Sequence, residues 1–200
     1  VRFGNGAVEP LSALYRSREQ WRLFQKVSAA AQTLKENRIG RLIPEVQSNI
    51  AVALADARSH DDVIGFPGRI VKNGDDIVTL APPCFGASKH AANIVLTVMR
   101  FDPTLRAVMN IKYTDSILKA CEQLKFKIAS FNRSDEPKRV KEREGSSLEW
   151  CTEKAIQDYG SVPDIIFDKG GMGKEEMIRV IASDIEGLID KVLRIHRLSL

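Results

Sequence analysis

The chain contains no apolar run of eighteen residues and no basic-then-apolar stretch at its N-terminus. The first absence excludes an ordinary membrane-crossing helix and the second a secretory signal, so a cytoplasmic protein without a membrane partner is expected. Cysteine is scarce: Cys84, Cys121 and Cys151 are an odd number, far apart and without a C-x-x-C pair. That spacing argues for a reducing compartment and against structural zinc. All three read as buried thiols, and Cys84, which follows two prolines, could also stand near a site. Histidine is equally scarce, since His60, His90 and His196 are widely separated. A catalytic zinc usually takes three protein ligands, so no histidine-based metal site is expected. Nor is there an internal repeat or a low-complexity tract. Thirty Lys and Arg against 26 Asp and Glu leave a net charge of +4, which favours anionic partners. With the two signs interleaved it is not a nucleic-acid signature.

What is present is an ordinary globular balance, 44% hydrophobic and 28% charged over 200 residues. That length suffices for one sizeable core, or one domain with an appendage. The chain opens on Val1 rather than Met, which reads as a piece of a longer polypeptide or a processed form.

Apolar spacing predicts a long helix over 12–37, from Leu14 through Trp21, Phe24, Val27 and Ala31 to Leu34. The segment before it, Gly4-Asn5-Gly6-Ala7-Val8-Glu9-Pro10-Leu11, is too rich in turn formers for regular structure. The expected organisation is therefore a tail or linker over 1–11, a connecting helix over 12–39 and one domain over 40–200. In that domain strands are expected at 49–54, 106–112, 126–131 and 164–167, with a further apolar run at 177–182. Helices are expected at 87–100, 114–124, 148–159 and 184–197. Asn73-Gly74-Asp75 separates Arg69-Ile70-Val71-Lys72 from Asp76-Ile77-Val78-Thr79-Leu80, a hairpin signal because Asn-Gly tolerates positive φ. Residues 133–147 read as a charged loop with a short helix. Hairpins alternating with helices indicate an α/β fold with a mixed sheet.

Two segments carry the chemistry. Pro67-Gly68-Arg69-Ile70-Val71 puts a guanidinium at a glycine turn, and Phe85-Gly86-Ala87-Ser88-Lys89-His90 puts an imidazole at a helix start. Arg forks onto phosphate oxygens, and His moves protons near neutral pH. Phosphate or pyrophosphate chemistry fits the pair, the alternative being a surface strand residue and a helix-start histidine. Gly86-Ala87-Ser88 with Lys89 is either an anion cradle on the helix dipole or a plain N-cap by Ser88. Asp168-Lys169-Gly170-Gly171-Met172-Gly173-Lys174 is either a glycine anion loop or a surface turn, and it is not a Walker A sequence. Asn110, Lys112 and Arg133 end apolar strands, where α/β folds place ligands, the alternative being solvated strand ends. Glu144, Ser146 and Ser147 close the charged loop, where the hydroxyls could touch substrate or cap the next helix.

Taken together, these segments resemble the archaeal-type thiamine-phosphate synthase domain, the ThiN family. The resemblance is carried in order by Arg41-Leu42-Ile43-Pro44-Glu45-Val46, the Arg69 and His90 segments, Met99-Arg100-Phe101-Asp102-Pro103, Ala107-Val108-Met109-Asn110-Ile111-Lys112-Tyr113, Ser130-Phe131-Asn132-Arg133, Lys141-Glu142-Arg143-Glu144-Gly145-Ser146-Ser147 and Asp164-Ile165-Ile166-Phe167-Asp168-Lys169-Gly170. The N-terminal tail is similar to that of the hydroxymethylpyrimidine phosphate kinases to which such domains are fused, with Gly6-Ala7-Val8-Glu9-Pro10 in place of Gly-Pro-Val-Asn-Pro.

The resemblance implies a three-layer α/β/α fold with a mixed, mainly antiparallel sheet, like the class II aldolases (AraD-like). It also implies coupling of hydroxymethylpyrimidine pyrophosphate to hydroxyethylthiazole phosphate, with release of pyrophosphate. Arg69 and His90 match the family's functional Arg and His. Gly86, Ala87, Ser88, Lys89, Asn110, Lys112, Arg133, Glu144, Ser146, Asp168, Lys169, Gly170, Gly171 and Lys174 would bind the substrates and their phosphates. Mg2+, with Asp168 as a possible ligand, is implied by the reaction class, and a kinase domain upstream and a homo-oligomer are expected. The alternative is a thiamine phosphate-sensing module attached to a DNA-binding helix pair, which would bind product without turnover. An aldolase-like metal enzyme is a third possibility, and it would need a metal centre that these histidines do not supply.

Overall fold

A computed structural model of the chain describes residues 18–137, 140 and 146–199. The expected tail over 1–11 and the first turns of the helix expected from 12 lie outside these residues. Helix α1 spans Arg18–Glu36 and buries Val27, Ala30 and Leu34, the inward stripe that its spacing predicts.

Strands β1 (Ile50–Ala53), β2 (Val63–Gly65), β5 (Cys84–Phe85), β6 (Ala107–Lys112), β7 (Ile128–Ser130), β8 (Ile165–Asp168) and β9 (Met177–Ala182) form one sheet. Its order is β5-β2-β1-β6-β9-β8-β7. Every neighbouring pair is antiparallel except β7 with β8, so the mixed, mainly antiparallel sheet is as expected. The hairpin of β3 (Ile70–Asn73) and β4 (Asp76–Thr79) forms as its Asn-Gly signal predicts, but as a separate two-stranded sheet. It docks through Ile70 and Ile77, both buried in the core, where each Ile contributes roughly 1.5–3 kcal/mol.

The remaining helices are α2 (Lys89–Phe101), α3 (Asp115–Gln123), α4 (Ser146–Tyr159) and α5 (Ile185–Leu198). One apolar cluster joins α1, α3 and α5 to Ile50, Val52, Met109, Ile111 and Val180 of the sheet. A second joins Ala91, Val95 and Val98 of α2 and Cys151 and Ala155 of α4 to Ala51, Val108, Ile166 and Ile181. Because alternate strand residues point to opposite faces, these two clusters are the two sides of one sheet. The architecture is three-layered, α/β/α.

Candidate active site

The face beneath α2 and α4 changes character along its strands. Ala51, Val108 and Ile181 lie side by side in register and pack under the helices. Two residues along the same face the row becomes polar: Asn49, Asn110 and Arg179, with Asp168 one step beyond Ile166. Here the helices no longer cover the sheet. A cavity of about 560 Å³ opens above the polar row, reached by Gln47, Ser48, Asn49, Phe66, Arg69 and the start of α2 on one side and by Arg133, Lys174, Arg179 and Ser147 on the other.

Arg69 reaches the cavity through an unusual backbone. Pro67 and Gly68 form a turn in which the Arg69 N–H donates to the Phe66 carbonyl at 3.2 Å, and Gly68 supplies the positive φ of 71° that its third position requires. Arg69 itself then sits at φ 70°, a left-handed conformation that costs an L-residue with a long side chain about 1–2 kcal/mol. The next residue, Ile70, exchanges backbone hydrogen bonds with Ser48 at 2.8 and 3.1 Å. That pairing, with Ile70 anchored in the core, holds the kink in place. The exposed Arg69 guanidinium donates through Nη1 to the Val46 carbonyl.

At the start of α2, Ser88 is the N-cap, its hydroxyl accepting from the Ala91 N–H at 3.4 Å. The N-cap reading is therefore correct, and the cradle reading is compatible with it, because Ala87, Ser88, Lys89 and His90 all line the cavity. Gly86 does not, since its N–H is committed to the Val63 carbonyl at 3.0 Å. Arg69 and His90 thus share one cavity, as the sequence reading required.

On the other side, Asp168 is buried with its side chain fully enclosed. It accepts from Arg133 Nε at 2.7 Å, Arg179 Nη1 at 2.8 Å and the Gly170 N–H at 2.9 Å. Its oxygens are taken by guanidiniums and backbone, so Asp168 organises arginines here and presents no free face to a cation. Among the described residues no cluster of three His, Cys, Asp or Glu could hold a metal. Among the described residues the donors do not fit a protein-held Mg2+.

The glycine loop has a structural task. Gly170, at φ 68°, lets the chain pass so close to Lys174 that a Cβ would stand 2.5 Å from its carbonyl oxygen. A Cβ at Gly171 would stand in ordinary contact with the Arg133 side chain, 3.7 Å away. Gly173 and Lys174 reach the main cavity, whereas Lys169 and Gly170 line a separate cavity of about 470 Å³. Asn110 is spent on structure: it accepts from the Asn49 N–H at 2.7 Å and donates to the Gln47 carbonyl at 3.0 Å. Lys112 is not among the lining residues. Glu144 lies outside the described residues, and of Ser146 only its place at the start of α4 is described.

Sequence reasoning missed Gln47, Ser48, Asn49, Phe66 and, above all, Arg179. A charged residue inside the apolar run over 177–182 was the available signal, because a buried arginine needs a partner. Burial lowers the Arg179 pKa, while Asp168 acts to raise it. Burial pushes the Cys151 thiol of α4 up to about 11 and the Cys121 thiol of α3, at the other face of the sheet, up to about 12; Cys84 is half-buried, not enclosed as expected.

The family model described as thiamine-phosphate synthase ThiN matches residues 26–194. The bifunctional thiamine biosynthesis protein ThiDN of Methanocaldococcus jannaschii is 40% identical over 178 residues, covering 88% of this chain. The chain spans only 41% of that relative's length. The thiamine-phosphate synthase ThiN of Methanothermobacter thermautotrophicus is 35% identical over 158 residues, which cover 79% of this chain and 83% of that one. Among solved structures, the C-terminal domain of a phosphomethylpyrimidine kinase superposes with a TM-score of 0.82 at 36% identity, covering 88% of this chain and 98% of that one. An aldolase II superfamily protein from Pseudomonas syringae matches with a TM-score of 0.51 at 13% identity, over 92% of this chain and 75% of that one. This last likeness is one of fold alone.

Proposed function

The chain belongs to the thiamine-phosphate synthase ThiN family, and from that premise we propose that it joins hydroxymethylpyrimidine pyrophosphate to hydroxyethylthiazole phosphate. The carrying observation is that Arg69 and His90 line the same cavity. In this transfer the bond from the pyrimidine methylene to the pyrophosphate oxygen breaks, and the thiazole nitrogen's lone pair forms the new C–N bond. Negative charge develops on the departing oxygen, so donors aimed there lower the barrier most. Arg69 forks onto the pyrophosphate, His90 as imidazolium donates to the leaving oxygen, and the free N–H groups at the start of α2 add to the same field. Phe66, Ile94, Val108, Leu148 and Met177 give the middle of the cavity an apolar lining suited to two flat heterocycles. Mg2+ bound with the substrate would supply charge neutralisation to the pyrophosphate, without a cluster of described residues to hold it.

The relatives' names support an upstream pyrimidine kinase domain, which would supply the pyrophosphate substrate. Among the described residues no helix is long and apolar enough to cross a membrane; a cytoplasmic location is part of the same proposal. A homo-oligomer belongs to the same proposal, with exposed Val46, Val78 and Leu80 as apolar surface for it.

The test is synthesis of thiamine phosphate by the purified chain from both substrates. Arg69→Ala and His90→Ala should each lower kcat/KM by about 100-fold or more, the scale of a lost leaving-group donor. Full activity in both variants would remove the proposed roles.

A further inference from the structure

The floor of the cavity carries more positive charge than its own carboxylate neutralises. Arg179 is 2% exposed and the Arg133 side chain 10% exposed, yet the single carboxylate of Asp168 serves both. Arg133 spends Nε and Nη2 on it, and Arg179 spends Nη1. Nε and Nη2 of Arg179 meet no acceptor among the described residues. Fully enclosed side-chain polar atoms without a partner are, among those residues, Ser48 Oγ and His196 Nδ1. The spare Arg179 donors therefore open onto the cavity that it lines. Phe131 supports both guanidiniums, with ring centroid distances of 5.5 and 5.2 Å. Lys174, by contrast, already has Glu136 at 3.4 Å.

Resting on the synthase reading, we propose that Arg179 and Arg133 form a second anion subsite, which takes the phosphomonoester of the thiazole substrate. A fixed, buried fork suits a group that does not react: its binding energy orients the thiazole nitrogen for attack. The pyrophosphate must leave, and Arg69, Lys89 and His90 stand exposed at the other side of the cavity. Arg179 sits on β9 and α2 packs over β1 and β6, so the two anion sites are separated by the breadth of the central strands, roughly 10 Å. Asp168 is a positioning residue that fixes both forks.

The proposal is tested by steady-state kinetics of Arg179→Gln with each substrate varied in turn. KM for hydroxyethylthiazole phosphate should rise roughly 10- to 100-fold, the loss of a charge-assisted hydrogen bond. KM for the pyrimidine pyrophosphate should move by less than about threefold. An equal rise in both, or a rise for the pyrimidine alone, overturns the assignment. If Arg179→Gln loses its folded circular dichroism spectrum, Arg133→Lys, which keeps the charge and loses the fork, carries the same comparison. If the unmodified chain makes no thiamine phosphate, the synthase reading fails separately. The subsite is then read with inorganic phosphate: thermal protection of the unmodified chain but not of the variant supports it, and equal protection of both overturns it.

Discussion

Arg69 is where local stability and the proposed chemistry conflict. Its φ of 70° places a bulky residue in a region that glycine occupies freely. Arg69→Gly should therefore keep or raise stability, by up to about 1 kcal/mol after the added flexibility of the unfolded chain is offset. Synthesis should fall together with the loss of the guanidinium. Thermal unfolding and turnover measured on the same preparation check this, and a marked destabilisation would contradict the strain. The sequence showed the Pro-Gly turn and the arginine, but not the left-handed arginine. That conformation is imposed from a distance, by Ile70 pairing with Ser48 and filling the core.

At the scale of elements, the long periodic pieces were legible and the short ones were not. Helices α2, α3 and α5 and strand β6 fall close to where apolar spacing put them, and the apolar run over 177–182 is strand β9. Strands β2 and β5, three and two residues long, are too short for a period to show. The glycine loop after β8 was visible, but its task was not: Gly170 and Gly171 bring the chain against Asp168, Lys174 and Arg133. Arg179 was hidden because strand pairing alone brings it to Asp168.

The last turn of α5 supplies a prediction about acid stability. Burial holds the His196 pKa below its usual value, against a hydrogen bond with the Asn37 backbone; Arg41 and Arg197 lower it further. The unfolded chain thus binds the proton more readily. The stability contribution is complete above about pH 6.5, the unfolded value, and is lost as pH falls from there through the lowered folded pKa. His196→Leu should flatten this part of the acid unfolding curve, and an unchanged pH dependence would contradict it.

On the scale of the whole molecule, the three-layer arrangement explains why the site is where it is. One sheet face is covered along its length by α1, α3 and α5, while α2 and α4 leave the Asn49, Asn110 and Arg179 end open. Two helix N-termini converge there with cations from opposite sides of the central strands. Such a surface favours a pair of phosphorylated ligands over a single neutral one.

The most direct measurement follows both products at once when the purified chain meets hydroxymethylpyrimidine pyrophosphate and hydroxyethylthiazole phosphate. One pyrophosphate released for each thiamine phosphate formed, over many turnovers, is the predicted result. Thiamine phosphate bound tightly with no turnover, or pyrophosphate released without coupling, would contradict it.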